Sequence, residues 1–182
     1  VRVSEKAANV GESEIGLYAG ERWAVKDLLA GLLIRSGNDA AMALAEHVGG
    51  SVEGFADMMN AKAEELGLEH SHFVNPHGLD HPEHYTSATD LVMMTEAALE
   101  DPYLSRLART RLVTFTPSPT GVARRANTTN RLLGVYPGVV GFKTGYTGRA
   151  GLVLASVLEQ GDRALNAVVM GSDGHFDDTR EL

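Results

Sequence analysis

The sequence predicts an α+β fold in which a helical part is followed by an antiparallel sheet. Apolar residues recur at helical spacing over residues 24–110, whereas β-branched runs separated by turn signals occupy residues 112–182. Strands and helices do not alternate along the chain, so a sheet built from βαβ units is not expected. The 182 residues suit one domain with a sizeable core, and the change of character falls near residues 112–130.

Five helices are expected in the first part, because apolar positions repeat there every three or four residues. Gly67 follows the third helix as a stop signal, and Pro102 suits the first turn of the fifth. Ser87 and Asp90 resemble a capping box before the fourth helix, with Asp in place of the usual Glu or Gln. Residues 1–20 are polar and are expected to form a loop or a short edge segment. The expected helices are 23–34, 38–48, 51–66, 88–99 and 102–108.

Four strands are expected in the second part, where short runs rich in apolar and β-branched residues are bounded by turn signals. Residues 159–162 (EQGD) form a hairpin signal between the last two strands. A final helix is expected to begin near Gly174. The expected strands are 112–116, 139–144, 152–158 and 164–170.

Composition excludes several kinds of site. The net charge of −8 argues against binding of a nucleic-acid backbone, which requires clustered Lys and Arg. The chain has no Cys, so disulfides and thiolate metal sites are excluded, and an oxidising compartment is compatible with this. No apolar run approaches the roughly 18 residues that a membrane span requires.

Two short motifs contain residue types that could carry chemistry. Ser36-Gly37-Asn38 stands at the junction of two expected helices, and Lys143-Thr144-Gly145 stands at the end of an expected strand. Taken alone, Ser36 is read as a helix N-cap and Lys143 as a solvated edge-strand lysine. Together, in this order and spacing, they resemble the second and third motifs of the active-site serine penicillin-binding proteins and class A β-lactamases.

The flanking residues make the resemblance more specific. The sequence resembles the D-alanyl-D-alanine carboxypeptidases, the low-molecular-mass penicillin-binding proteins of serine type, over nearly its whole length. This resemblance implies a β-lactamase-like fold of three layers, with an antiparallel sheet flanked by helices beside a mostly helical subdomain. The matching segments are 28–41, 73–80 (FVNPHGLD), 85–90 (YTSATD), 129–133 (TNRLL), 141–147 (GFKTGYT) and 150–151.

The resemblance also implies an activity. Members of this family remove the terminal D-Ala from peptidoglycan pentapeptides through an acyl-enzyme, and β-lactams acylate the same serine. The implied partners are therefore the peptidoglycan pentapeptide and β-lactam antibiotics, with no cofactor and no nucleic acid. The implied location is outside the cytoplasm, in the periplasm or at the cell surface, with a parent protein that is membrane-associated.

The resemblance assigns roles to residues of both motifs. Ser36 is expected to relay protons, Asn38 to bind the substrate peptide, and Lys143 to supply positive charge to the site and to the substrate carboxylate. Thr144 is expected to bind that carboxylate through its hydroxyl. The strand edge after Gly145 is expected to pair with the substrate backbone, with the Tyr146 N–H as an oxyanion-hole donor.

A further arginine is a candidate for the same carboxylate. Arg180 lies near the end of the sequence and resembles an arginine that contacts the substrate carboxylate in the family. The expected substrate-binding set is therefore Lys143, Thr144, Gly145, Tyr146 and Arg180.

The family's nucleophile is expected to lie outside this sequence. The family's first motif is Ser-x-x-Lys, and no serine of the chain is followed by Lys at the third position. In the family this motif precedes the point that matches Val1, and the closing helix continues beyond the point that matches Leu182. Residues 1–182 are thus expected to form a single incomplete peptidase domain, inactive by itself.

Two alternatives remain open at this stage. The first is a catalytically inactive relative that only binds peptidoglycan. In that case the parent protein would contain the same two motifs but would lack an intact Ser-x-x-Lys segment. A zinc-dependent D,D-peptidase is the other alternative, because His and carboxylate side chains are metal ligands. Its candidate ligands lie in a loop that holds five of the seven histidines, namely His70, His72, His77, His81 and His84.

Overall fold

Helices precede strands in the folded chain, which confirms the α+β fold. The computed structural model describes residues 1–115 and 123–182. The helices within these ranges are α1 (Glu5–Ala8), α2 (Val25–Arg35), α3 (Asn38–Gly49), α4 (Val52–Glu65), α5 (Ala88–Glu100), α6 (Pro102–Ala108) and α7 (His175–Glu181). The strands are β1 (Leu112–Thr114), β2 (Arg125–Asn127), β3 (Val139–Thr147), β4 (Gly151–Gln160) and β5 (Arg163–Met170).

The main sheet is an antiparallel meander in the order β3-β4-β5. Lys143 lies opposite Ala155 and Gly145 opposite Val153, so the strand with the third motif pairs with β4 on one side. Among the described strands, β3 therefore lies at one edge of this sheet. β1 and β2 form a separate two-stranded sheet, which the sequence did not predict.

The helical core is built around α3. Its first eight residues, from Asn38 to Ala45, are all buried, and four of them are alanines. Small side chains let α2 and α4 approach this helix closely. Leu28 and Ile34 of α2 are buried against the same core, so the loop between α2 and α3 is fixed at both ends.

Two helices connect the helical part to the main sheet. α5 packs against β5, and α6 packs against β3. A Cβ atom on Gly141 would lie 2.8 Å from the carbonyl oxygen of Ala108, so glycine is required where β3 crosses the end of α6. The Ser156 hydroxyl of β4 donates to the Gly141 carbonyl at 2.9 Å, which fixes this crossing. The crossing places the third motif beside the helical part.

Several local expectations need correction. Residues 5–8 form α1, because the Ser4 hydroxyl accepts the Ala7 N–H at 2.9 Å, although residues 1–20 were expected to be a loop or a short edge segment. Only half of the expected capping box forms. Ser87 accepts the Asp90 N–H, whereas the Asp90 carboxylate accepts from the His70 N–H and the Ser71 hydroxyl.

Other expectations hold closely or stay open. β1 ends at Thr114, and the expected strand end at Thr116 lies outside the described residues. The hairpin at 159–162 forms, with Gly161 at a φ of 60° between β4 and β5. The division into 24–110 and 112–182 stays a prediction, as does the idea of an incomplete domain. No helix in the described part of the chain has the length and apolar character needed to cross a lipid bilayer.

Candidate active site

Ser36 terminates α2 and does not begin α3. It is the C-cap of α2 in the left-handed conformation, with φ 62° and ψ 40°, while Gly37 is the N-cap of α3. Such a conformation is uncommon for a residue with a side chain and frequently marks a functional position. The N-cap reading of Ser36 is therefore wrong, and its hydroxyl is free to face the sheet.

Lys143 lies across from Ser36 on β3 and contacts it directly. Its Nζ donates to Ser36 Oγ at 2.6 Å and also to the carbonyl oxygen of Thr144. The side chain is half-buried, and burial lowers the pKa of Lys143 to about 8. A solvated edge-strand lysine would show neither feature, so the two motifs are brought together, although they are 107 residues apart.

Asn38 is buried behind this contact. Its side-chain Nδ2 donates to the Gly11 carbonyl at 3.0 Å, and its backbone N–H donates to the Ser13 carbonyl at 2.7 Å. Asn38 therefore holds the loop around residues 11–13 against the start of α3. Its expected contact with a substrate peptide stays a prediction.

Asp39 fixes the next stretch of the same loop, a role that sequence reasoning missed. Its carboxylate is fully buried and accepts the backbone N–H groups of Ile15, Gly16 and Leu17 at 2.9–3.1 Å. Three successive backbone donors satisfy the buried negative charge in place of a cation. Asn38 and Asp39 together hold residues 11–17 next to the α2–α3 junction.

The residues after Lys143 form an exposed strand edge. Tyr146 is 70% exposed, and Gly145 is exposed as well. A Cβ on Gly145 would meet only Val153 Cβ, at 3.9 Å, so nothing within the described protein requires glycine there. A ligand that lies along this edge would give glycine a purpose there.

Thr144 has a partner that the sequence did not predict. Its hydroxyl lies 2.5 Å from the hydroxyl of Thr129, whose backbone N–H donates to the Ile34 carbonyl at 3.3 Å. Thr129 is therefore a second link between α2 and β3, beside the Lys143–Ser36 contact. The only sequence signal for Thr129 was that residues 129–133 form part of the family resemblance. That resemblance indicated no role for Thr129 itself.

Arg180 is placed on α7, where it pairs with neighbouring residues. Its guanidinium lies 3.2 Å from Asp177 Oδ1 and 5.9 Å from the centre of the Tyr136 ring. In the part of the chain that the structure describes, no hydrogen bond joins Arg180 to the β3 edge. Its contact with a substrate carboxylate stays a prediction.

The histidine-rich loop is organised by its own hydrogen bonds. Nδ1 of His77 accepts the Leu79 N–H at 3.3 Å, and Nδ1 of His84 accepts the Val74 N–H at 3.1 Å. Burial lowers the pKa of both His77 and His84, which favours these neutral rings. Among residues 1–115 and 123–182, no three His, Asp or Glu side chains come close enough to hold a metal ion. The zinc alternative thus has no geometric support in the described residues.

Comparison with known proteins finds relatives that match most of this chain. The sequence profile described as D-alanyl-D-alanine carboxypeptidase matches residues 1–174. The chain is 42% identical over 172 residues to the D-alanyl-D-alanine carboxypeptidase DacF of Bacillus subtilis, covering 94% of this chain and 44% of that protein. It is 37% identical over 158 residues to DacB2 of Mycobacterium tuberculosis, covering 86% of this chain and 53% of that protein.

Solved structures show the same fold. A Streptomyces DD-transpeptidase matches all of this chain and 75% of its own, with a TM-score of 0.91 at 27% identity. The carboxypeptidase DacD of Francisella tularensis matches all of this chain and 56% of its own, with a TM-score of 0.91 at 26% identity. The chain spans 44% of the length of DacF, so it corresponds to less than half of that relative. The sequence match and the shared fold together show that this chain belongs to the D-alanyl-D-alanine carboxypeptidase family.

Proposed function

We propose that these residues form two walls of the active site of a serine-type D-alanyl-D-alanine carboxypeptidase. The hydrogen bond of 2.6 Å between Lys143 Nζ and Ser36 Oγ is the observation that carries the proposal. It joins a hydroxyl and an amine whose pKa of about 8 lies close to neutral pH, which suits groups that exchange a proton during catalysis. The relatives' names indicate the reaction, release of the terminal D-Ala from a D-Ala-D-Ala peptide.

Ser36 is the proton relay in this scheme. At pH 7 roughly a tenth of Lys143 side chains are neutral, given a pKa of about 8. The protonated lysine can donate a proton to Ser36 Oγ while that hydroxyl gives up its own, so that no free alkoxide forms. The hydroxyl passes that proton to the leaving amine as the peptide bond breaks, and Asn38 binds the peptide side of the substrate.

The β3 edge binds the substrate in this proposal. The positive form of Lys143 attracts the terminal carboxylate, and the Thr144 hydroxyl donates to it. The exposed backbone after Gly145 pairs with the substrate as an added strand, and the Tyr146 N–H stabilises the oxyanion. Arg180 is a second candidate donor to the carboxylate.

The nucleophile in this proposal is not among the 182 residues. None of their serines is followed by Lys at the third position, so we place the nucleophilic serine and its lysine in another segment of the full-length protein. The same serine is the expected target of β-lactams, and the enzyme is expected to act on peptidoglycan outside the cytoplasm.

Release of D-Ala from a D-Ala-D-Ala tripeptide by the full-length protein tests the reaction. We expect Ser36→Ala to lower kcat by about 10²–10⁴-fold, the usual contribution of a proton-transfer group. Ser105→Ala on α6 is the matched control, because it removes a serine hydroxyl that belongs to neither motif. A wild-type protein that releases no D-Ala would contradict the proposal.

Labelling with a fluorescent penicillin, followed by mapping of the adduct by mass spectrometry, tests where the nucleophile lies. We expect the acyl group on a serine outside these 182 residues. An adduct on any residue from Val1 to Leu182 would overturn this assignment.

A further inference from the structure

Thr129 connects the two walls of the cleft at the point where a substrate carboxylate is proposed to bind. Its backbone N–H donates to the Ile34 carbonyl, two residues before Ser36. Its hydroxyl lies 2.5 Å from that of Thr144, the residue after Lys143. Both threonines are half-buried, so the hydrogen bond between their hydroxyls is partly shielded from water.

The backbone around Thr129 is held in place on both sides. The Thr128 N–H donates to the Arg111 carbonyl at 2.8 Å, and its hydroxyl accepts the Asn130 N–H at 3.2 Å. The Asn130 side chain accepts the Leu132 N–H at 3.0 Å. A segment fixed by this many hydrogen bonds can present the Thr129 hydroxyl in one position.

The direction of the hydrogen bond between the two hydroxyls decides what Thr144 can bind. Each hydroxyl has a single proton to donate. If Thr144 donates to Thr129, only lone pairs of Thr144 face a ligand, and these repel an anion. If Thr129 donates to Thr144, the Thr144 proton is available to a carboxylate. A bound carboxylate therefore selects the arrangement in which Thr129 is the donor.

We propose that Thr129 is a positioning residue that turns the hydroxyl proton of Thr144 toward the carboxylate of the substrate. This inference rests on the proposed function, because it deepens the binding of a peptide with a free carboxyl end. Thr129 contributes to the choice between acidic ligands and neutral analogues of the same shape, and it touches neither the scissile bond nor the carboxylate.

The test compares one substrate with and without its carboxylate. The full-length protein is assayed with a D-alanyl thioester of thioglycolic acid and with the methyl ester of that compound. Thr129→Val removes the hydroxyl at nearly constant volume, and we expect about a tenfold loss in kcat/KM for the acid but less than about twofold for the ester. Thr129→Ser keeps the donor and is expected to retain the preference for the acid. Thr89→Val, an exposed threonine on α5, is the matched control.

Three results of these assays would overturn the inference. An equal loss for acid and ester would show that Thr129 only supports the fold, and no loss for the acid would show that it does not orient Thr144. Failure of Thr129→Ser to preserve the preference for the acid would contradict it as well.

Binding separates this inference from the proposed function. If the wild-type protein turns over neither compound, the proposed reaction fails, and Thr129 is then judged by calorimetry with a D-Ala-D-Ala peptide and its C-terminal amide. Weakening of about tenfold by Thr129→Val for the acid alone would still support the inference. Equal affinity of wild type and variant, or no binding of the acid to the wild type, would overturn it.

Discussion

Replacing Lys143 by Met tests whether the folded protein holds this lysine at a cost to stability. Burial lowers the pKa of Lys143 from 10.5 to about 8. One pKa unit corresponds to about 1.4 kcal/mol, so the charged form costs the native state about 3 kcal/mol. The side chain is only half-buried by accessible surface, so we expect a measured cost of about 2 kcal/mol after screening by water.

The pH dependence identifies this cost. Below pH 8, Lys143 is charged in both the native and the unfolded state, and the full cost applies. Between pH 8 and 10.5 the native state releases its proton while the unfolded state keeps it, so the wild-type free energy of unfolding rises with pH. Lys143→Met lacks this rise. Loss of the hydrogen bonds to Ser36 and Thr144 lowers the variant's stability by about 1 kcal/mol each, at every pH.

Urea unfolding of the full-length protein at about pH 7 and about pH 9.5 measures the effect. We expect the stability of Lys143→Met relative to wild type to fall by about 1–2 kcal/mol between these two values. Lys62→Met, which removes a lysine that is 57% exposed on α4, is the matched control. A difference between Lys143→Met and wild type that is the same at both pH values would refute the reasoning.

Two further predictions follow from packing. Gly145→Ala is expected to leave the melting temperature unchanged, because the added Cβ would meet only Val153 among the described residues. If a substrate lies along the β3 edge, the same variant is expected to lower kcat/KM by about tenfold. An unchanged kcat/KM would argue against binding at this edge. Arg124→Ala is expected to lower the free energy of unfolding by about 2–3 kcal/mol in a urea titration, because the buried Glu21 carboxylate loses its ion pair at 2.7 Å while it keeps hydrogen bonds from the Tyr18 and Trp23 N–H groups; a loss below about 1 kcal/mol would contradict this.

Much of the fold followed from periodicity alone. The starts of α3, α5 and α6 and the pairing of β4 with β5 agree with the spacing of apolar residues and the turn at 159–162. α1 was missed because a four-residue helix is too short to show a period, and its stability depends on the Ser4 cap. β2 has three residues, again too few for alternation to be visible.

Sequence-based prediction was least accurate at Ser36, where the backbone conformation determines which way the side chain points. A serine between two helices is ordinarily read as the N-cap of the second, and Ser36 is instead the left-handed C-cap of the first. Nothing in the neighbouring residue types distinguishes these two geometries. The difference decides what the hydroxyl contacts, since an N-cap hydroxyl would accept from its own helix, whereas Ser36 Oγ accepts from Lys143.

Asp39 shows why the family motif was only part of the site. Motif reasoning selects residues that touch substrate, whereas the Asp39 carboxylate binds backbone N–H groups of residues 15–17 and of Ala40. A buried carboxylate without hydrogen bonds would cost several kcal/mol, so the loop and the start of α3 must fold together for either to be stable. The left-handed Ser36 lies between that anchor and the end of α2. The position of the Ser36 hydroxyl therefore depends on Asp39 as well as on Lys143, and a sequence pattern limited to Ser-x-Asn cannot express this dependence.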